Sequence, residues 1–142
     1  MAPRQSPPRL IFLLTAAERQ LRRWIDARGG SRGISAASSG VILYLAQHPD
    51  ATITDITTAL KASPAGVSTL LARMEKAALI SRDIDRSDRR VARISLTDSG
   101  ADALAELTVS LRELNTLITE GFSDEELATV ARWLGQVAAL RR

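Results

Sequence analysis

Arginine is the residue with the clearest chemical potential in this chain, and it is unevenly distributed. The 142 residues include 17 arginines and only 2 lysines. Between residues 61 and 93, eight cations face four anions, and this local charge of +4 exceeds the net charge of +3 of the whole chain. Guanidinium groups form paired hydrogen bonds with phosphate and guanine, so the excess indicates a polyanionic partner, although GC-rich codon use would produce the same count.

Catalytic and metal-binding sites have little support in the sequence. The absence of cysteine excludes disulfides, thiolate metal sites and thiol-based oxidant sensing by this chain. His48 is the only histidine, and its place before Pro49 is more typical of a helix end than of a metal ligand. Asp83, Asp85 and Asp88 lie among arginines that hold them ionised, and a glycine-rich phosphate loop is missing. We therefore expect no enzyme activity, no metal and no cofactor.

The basic segment coincides with a pattern of two short helices. The first is expected at about residues 54–61, and Ser63 and Pro64 then suit the N-cap and the first position of the second. Apolar residues recur at helical spacing along the second helix at Val67, Leu70, Leu71, Met74 and Ala78. Residues 65, 66, 68, 69, 72 and 73 must therefore face outward, where a nucleic-acid duplex would meet them.

Two alternating segments follow, Ile80–Ile84 and Val91–Leu96, and they predict a two-stranded hairpin. Its polar tip carries Arg86, Arg89 and Arg90, which have no core to enter. A DNA backbone or minor groove would give these arginines a partner. Together with the helix pair, this hairpin predicts a winged helix-turn-helix that binds DNA.

Long amphipathic helices are expected on both sides of this unit, at about residues 9–28, from Thr97 onward, and from Ser123 to about Leu140. Thr97 is expected to cap the second of these helices, and Ser123 with Glu126 is expected to form a capping box at the start of the third. A second copy of the chain would cover them, although they would also serve to cover the core of one protomer. The predicted fold is mainly α, with a small two-stranded β wing. Its predicted parts are a flexible N-terminal arm (1–8), an N-terminal dimerisation helix and connector (9–34), a winged helix-turn-helix domain (35–97) and C-terminal dimerisation helices (98–142).

No membrane segment is expected in this sequence. The apolar run Leu10–Leu14 resembles the start of a signal peptide, but it is short and Glu18 follows it within a continuing helical pattern. No segment approaches the roughly 20 apolar residues that span a bilayer. We therefore expect a cytoplasmic protein.

The wing sequence resembles the signature of MarR-family transcriptional regulators. It reads DRR at residues 88–90, then five residues, then Leu96, Thr97 and Gly100. With the flanking helices, the resemblance covers essentially residues 9–141. It implies an obligate homodimer of triangular shape whose winged helix-turn-helix domains each bind one half-site of a pseudo-palindromic operator. It also implies that DNA is released in many members when a small aromatic or phenolic effector binds.

The resemblance also assigns DNA contacts. It implies that residues 63–73 lie in the major groove, with Ser68, Thr69 and Arg73 best placed to reach bases or nearby phosphates. It implies that Asp88 orients one arginine of the wing while another reaches DNA. The full set of predicted DNA-binding residues is Ser63, Ala65, Ser68, Thr69, Arg73, Arg86, Asp88, Arg89 and Arg90.

One departure from the family concerns Ala65 and Gly66, which stand where many members have polar or basic residues. Specificity would then depend more on thymine methyl contacts by Ala65 and Thr69 and on the shape of the minor groove. The same two residues motivate an alternative, a winged-helix module that binds a protein partner and not DNA.

A ligand pocket is implied by the same resemblance, between the dimerisation helices and the DNA-reading unit. Phe12, Trp24, Tyr44 and His48 are candidates to line it, with an arginine as the partner of an anion. Core packing explains the three aromatic residues equally well.

Overall fold

The computed structural model describes residues 9–28 and 32–141, and over these ranges the protein is mainly helical with one small sheet. The elements are α1 (Arg9–Ala27), α2 (Ala36–Gln47), β1 (Ala51–Thr52), α3 (Ile53–Leu60), α4 (Pro64–Lys76), β2 (Ile80–Ile84), β3 (Ala92–Leu96), α5 (Asp98–Thr119) and α6 (Asp124–Ala138). The predicted fold class is confirmed. The predicted arm at residues 1–8 lies outside the described residues.

The wing sheet has one strand more than the sequence predicted. Its order is β1-β3-β2 and both pairings are antiparallel. Within β1, Ala51 pairs with Ile94 and Thr52 with Arg93. A strand of two residues is too short to show an alternating pattern, which is why it was missed. The predicted limits of β2 are confirmed, and β3 begins one residue later than predicted.

The core of the first compact unit, which extends to Leu107, lies where α2, α3 and α4 pack against the sheet. The largest fully buried side chains are Ile42, Ile56, Leu71, Ile94, Val41 and Val67. Apolar residues three and four positions apart fall on one side of a helix, and α4 buries the predicted stripe through Met74. Packing of this stripe fixes the opposite face of α4 toward solvent.

The predicted extension of α4 to Ala78 is wrong, because the helix ends at Lys76. Ala78 is exposed and has a φ of 59°, in the left-handed region. The Leu79 N–H donates to the carbonyl oxygen of Met74, and the Ala78 N–H donates to that of Glu75, each at 3.0 Å. These two bonds satisfy the last carbonyls of α4 and turn the chain into β2.

A close junction joins the end of α4 to the start of α5. The Thr97 N–H donates to the Leu79 carbonyl oxygen at 3.1 Å, and the Thr97 hydroxyl donates to the carbonyl oxygen of Ala78. The same hydroxyl oxygen accepts from the Gly100 N–H at 3.0 Å, which confirms Thr97 as the cap of α5. A Cβ atom on Gly100 would lie only 2.1 Å from the Leu79 carbonyl oxygen, so this approach requires glycine.

The second compact unit, residues 108–142, contains the end of α5 and all of α6. The predicted capping box is confirmed, since the Glu126 N–H donates to Ser123 Oγ at 3.2 Å and the Glu126 carboxylate accepts from the Ser123 N–H. Many large apolar side chains of this unit are exposed, namely Val109, Leu117, Ile118, Phe122, Val130, Leu134 and Leu140.

Candidate nucleic-acid interface

The first turn of α4 is fixed by its cap. Ser63 Oγ accepts the Gly66 N–H at 3.1 Å, and Pro64 occupies the first helical position as predicted. The Ser63 hydroxyl is therefore already engaged within the helix. Its carbonyl oxygen also accepts the Val67 N–H at 3.0 Å, so both groups of Ser63 serve to begin the helix.

The exposed face of α4 offers few polar groups. Ala65, Ser68, Thr69 and Arg73 are all exposed, as the spacing of the buried residues predicted. The Thr69 hydroxyl donates to the Ala65 carbonyl oxygen at 3.0 Å. The methyl group of Thr69 is therefore the part of the side chain that is available to another molecule. Ser68 makes no side-chain hydrogen bond within the part of the chain that the structure describes, so its hydroxyl is available to another molecule.

A residue that the sequence argument missed belongs to the same face. Ala65, Thr69, Ala72 and Lys76 recur at steps of four, three and four, so they form one exposed stripe opposite the buried side of α4. Lys76 ends this stripe in the last helical turn. The spacing was visible in the sequence, but the outward positions were listed only as far as residue 73.

Arg73 lies at the edge of this face. It lines a cavity of about 410 Å³ that reaches from α4 to α1 and to the start of α2. The cavity has apolar and polar walls that include Arg22, Ala36, Gly40, Leu60, Leu70 and Arg73. Arg22 is also paired with Glu18, with its Nη2 atom 2.6 Å from a carboxylate oxygen. Two arginines therefore stand at one cavity, one on α1 and one on α4.

The base of the wing is held together by hydrogen bonds to Asp85. The sequence did not indicate this role. The Asp85 carboxylate accepts the Ser87 hydroxyl at 2.6 Å, the Ser87 N–H at 2.8 Å and the Arg93 guanidinium at 2.8 Å. These hydrogen bonds, first from the Ser87 side chain, then from its backbone and from Arg93, hold the pKa of Asp85 well below its ordinary value. Asp85 is thus a fixed anion within a basic hairpin.

Asp88 and Arg90, the pair assigned from the resemblance, are in contact. Arg90 Nε lies 3.0 Å from one carboxylate oxygen, and Nη2 lies 3.2 Å from the other. The side chain of Arg90, and then its backbone N–H, lower the pKa of Asp88. Arg90 nevertheless remains 90% exposed. Arg86 and Arg89 are exposed and form no ion pair with any described residue, so the tip presents three guanidinium groups to solvent.

The four residues proposed as a ligand site lie in two places. Phe12 and Trp24 belong to α1, where Phe12 is 69% exposed and the Arg28 guanidinium lies 4.0 Å from the Trp24 ring. Tyr44 and His48, at the end of α2, stack with their ring centroids 4.3 Å apart. The cavity beside Arg22 and Arg73 is lined by other residues. The ligand assignment stays a prediction.

Across residues 9–28 and 32–141, no helix combines the length and the apolar character needed to cross a bilayer. In the same ranges, no three His, Asp or Glu side chains come together as metal ligands would.

Known proteins are similar to this chain over the elements described above. A model of the MarR family matches residues 32–91. The HTH-type transcriptional repressor MdtR of Bacillus subtilis (strain 168) is 25% identical over 107 residues, which are 75% of this chain and 69% of that protein.

Two solved structures are similar over most of their length. A complex of S. aureus MepR with DNA has a TM-score of 0.83 at 26% identity, covering 91% of this chain and 96% of that chain. A complex of Streptococcus pneumoniae FabT with DNA has a TM-score of 0.77 at 25% identity, covering 92% and 93% respectively. The family model and the wing signature agree, and residues 32–91 of this chain are similar to the MarR family.

Proposed function

We propose that this protein is a transcriptional regulator that binds a specific DNA operator and acts there as a repressor. The observation that carries the proposal is the exposed face of α4 beside a wing tip with three outward arginines, Arg86, Arg89 and Arg90. A major groove admits an α-helix, and a narrow minor groove attracts arginine. The DNA complexes of MepR and FabT favour this function over a module that binds only a protein partner.

The proposed contacts follow from which side-chain groups are already used. Ser68 and Arg73 are available to bases or phosphates, and Lys76 is placed to reach the backbone at the end of α4. Ala65 and the Thr69 methyl group would contact thymine methyl groups. Ser63 acts mainly by setting the start of the helix, because its hydroxyl is engaged by Gly66.

The protein is proposed to bind DNA as a homodimer. The side chains Leu10, Ile11, Phe12 and Leu13 at the start of α1 are 49–69% exposed. The unit of residues 108–142 is similarly rich in exposed apolar residues, and apolar surfaces of this extent mark interfaces. A second copy carries the same surface, which allows a closed two-fold pair. Such a pair presents two α4 helices to half-sites about one helical turn apart, which requires a pseudo-palindromic operator.

A small aromatic or phenolic acid is proposed as the effector. The cavity beside α4 combines apolar walls at Leu60, Val67 and Leu70 with guanidinium groups from Arg22 and Arg73. A ring would pack against the apolar side chains while its acid group pairs with arginine. A ligand that prefers a protomer arrangement with the wrong spacing of α4 helices would release DNA.

The MarR family consists of transcriptional regulators, which are not an enzyme class. We assign no catalytic role to this chain, and we place it in the cytoplasm because a regulator must reach the chromosome.

A gel-shift assay with the full chain and the duplex upstream of its own gene tests the proposed function. We expect a discrete complex that the same unlabelled duplex displaces and that an unrelated duplex of equal length does not. Equal displacement by both competitors would refute specific recognition. Binding of a protein partner without any DNA complex would support the interaction-module alternative.

A further inference from the structure

A groove of about 450 Å³ separates the first turn of α3 from the wing. Thr52 and Thr54 line it on the α3 side, while Arg82, Arg90 and Ala92 line it on the wing side. Hydroxyl and guanidinium groups are the side-chain donors that contact DNA phosphates. Of these five residues, only Arg90 belongs to the DNA-binding set assigned from the sequence.

Arg82 is the cation of this groove that is held least firmly. It lies in the middle of β2, opposite Ile94. Its Nε atom is 3.8 Å from a carboxylate oxygen of Glu75 on α4, and the two side chains are 33% and 47% exposed. A single contact of this length between partly exposed groups is weak. Arg90 is instead held by Asp88 through two side-chain hydrogen bonds. Arg82 can therefore leave Glu75 for another anion at little cost in free energy.

The α3 side of the groove supplies one hydroxyl that is not engaged. The Thr52 hydroxyl accepts the Asp55 N–H at 3.1 Å, and the Asp55 carboxylate accepts the Thr52 N–H at 3.0 Å. Backbone and side-chain hydrogen bonds from Thr52 lower the pKa of Asp55, so this acid is ionised and fixed in the cap. Thr54 is exposed and makes no side-chain hydrogen bond within the described residues. Thr54 is thus the available hydroxyl.

The position of the groove matches the expected path of one DNA strand. If α4 occupies the major groove and the wing tip the adjacent minor groove, then the strand between these grooves must pass between α4 and the tip. Arg82 lies in that interval, because it contacts α4 through Glu75, and Arg90 belongs to the tip. Each protomer would contact one such strand, at one groove.

We propose that the groove is a phosphodiester site in which Arg82 and Thr54 contact the strand between the two grooves, and that Glu75 competes with the phosphate for Arg82. The proposal rests on the proposed DNA-binding function. It predicts opposite effects for the two partners of one ion pair. Loss of Arg82 removes a phosphate contact, while loss of the Glu75 charge releases Arg82 and removes a repulsive anion.

The test compares Arg82→Gln and Glu75→Gln in the full chain, with affinity for the upstream duplex measured at several salt concentrations. For a dimer, Arg82→Gln should weaken binding by roughly 10- to 100-fold at low salt and flatten the log–log salt slope by about 2, since each phosphate contact contributes about 0.9. Glu75→Gln should tighten binding. Arg82→Lys should retain the wild-type slope. Arg132→Gln, an equal charge change on the exposed surface of α6, should alter the slope little.

A purely structural role for the Arg82–Glu75 pair gives a different result. Both variants would then lower the melting temperature of the free protein alike, and neither would change the salt slope, which would overturn the proposal. If the wild-type protein binds the duplex normally and Arg82→Gln has the same salt slope as the wild type, the groove site is refuted and the proposed function is not. Absence of wild-type binding to any duplex would refute the proposed function as well.

Discussion

The guanidinium of Arg93 donates to the carboxylate of Asp85 through Nε at 2.9 Å and lies 2.8 Å from it through Nη2. Arg93 also donates through Nη1 to the carbonyl oxygen of Asp50 at 3.3 Å, in the turn before β1. Ser95 adds a hydrogen bond to the Asp50 carboxylate at 2.8 Å. The Asp85–Arg93 pair therefore ties the wing tip to the rest of the sheet and fixes where the arginines of the tip are presented.

Replacing Asp85 with asparagine should weaken DNA binding by about tenfold, comparable to the loss of one charge-assisted hydrogen bond. The reason is that Arg93 loses its ionic partner and the tip loses its fixed position. Fluorescence anisotropy with a labelled operator duplex measures the change. Asp83→Asn is the matched control, because it removes the same charge from an exposed residue of β2. Tighter binding by both variants would mean that only net charge matters here.

The same ion pair predicts a pH dependence of stability. Hydrogen bonds lower the pKa of Asp85 in the folded protein below its ordinary value of 3.8. A group whose pKa is lowered on folding stabilises the fold above its unfolded pKa and loses that contribution as the pH falls toward its folded pKa. The difference in unfolding free energy between wild type and Asp85→Asn should therefore be constant near neutral pH and shrink below about pH 4. A difference that grows on acidification would contradict this assignment.

Gly100→Ala should destabilise the junction of α4 with α5 by about 3 kcal/mol, because the new methyl group meets a backbone carbonyl that cannot move independently. The methyl carbon would lie 2.1 Å from the Leu79 oxygen and 3.1 Å from Leu96 Cδ2. Urea unfolding followed by circular dichroism measures the loss. Gly135→Ala in α6 is the control, since its Cβ meets no atom within 4 Å, and it should stabilise by up to about 1 kcal/mol. Equal effects of the two substitutions would show that the close approach is unimportant.

Thr69 is predicted to act through its methyl group rather than its hydroxyl. Thr69→Val keeps the methyl group and should leave base preference unchanged. Thr69→Ser removes it and should alter preference at one base position by about 1 to 3 kcal/mol. Binding to a set of operators with single base changes measures both effects. A larger effect of valine than of serine would mean that the hydroxyl leaves Ala65 to contact a base.

The arginines of the wing tip should contribute equally to the affinity for every DNA sequence. Arg90→Ala and Arg89→Ala are each expected to weaken binding to operator and unrelated duplexes by the same factor, and to reduce the salt slope by about 1 for each protomer. Arg90 is the more informative of the two, because Asp88 holds it in position. An unchanged affinity of Arg90→Ala at moderate salt would refute the role assigned to the wing.

Local signals in the sequence were sufficient where an element depends on its own residues. The capping box of Ser123 and Glu126, the buried stripe of α4 through Met74 and the limits of β2 are of this kind, and all three were predicted. The alternation predicted within β2 was wrong at Ile84, which is 67% exposed although it was expected on the same side as the buried Ile80. The left-handed turn at Ala78 was not predicted, because alanine gives no sign of a positive φ and the α4 pattern appeared to continue through it.

The side-chain pairs of the site depend on tertiary structure. The sequence placed Asp85 and Arg93 in one hairpin but did not indicate that they meet, and the approach of Arg82 to Glu75 requires the packing of α4 on β2. Likewise, Arg73 was predicted to face outward, but only the positions of α1 and α2 reveal that it also lines a cavity with Arg22.

The central claim is that both protomers of a dimer contact DNA phosphates. The salt dependence of operator affinity tests this claim most directly. If each protomer neutralises roughly three phosphates, log affinity should fall against log salt concentration with a slope near −5, measured with the full chain above its dimerisation concentration. A slope near zero, or the same complex formed by a protein that sediments as a monomer, would contradict the account.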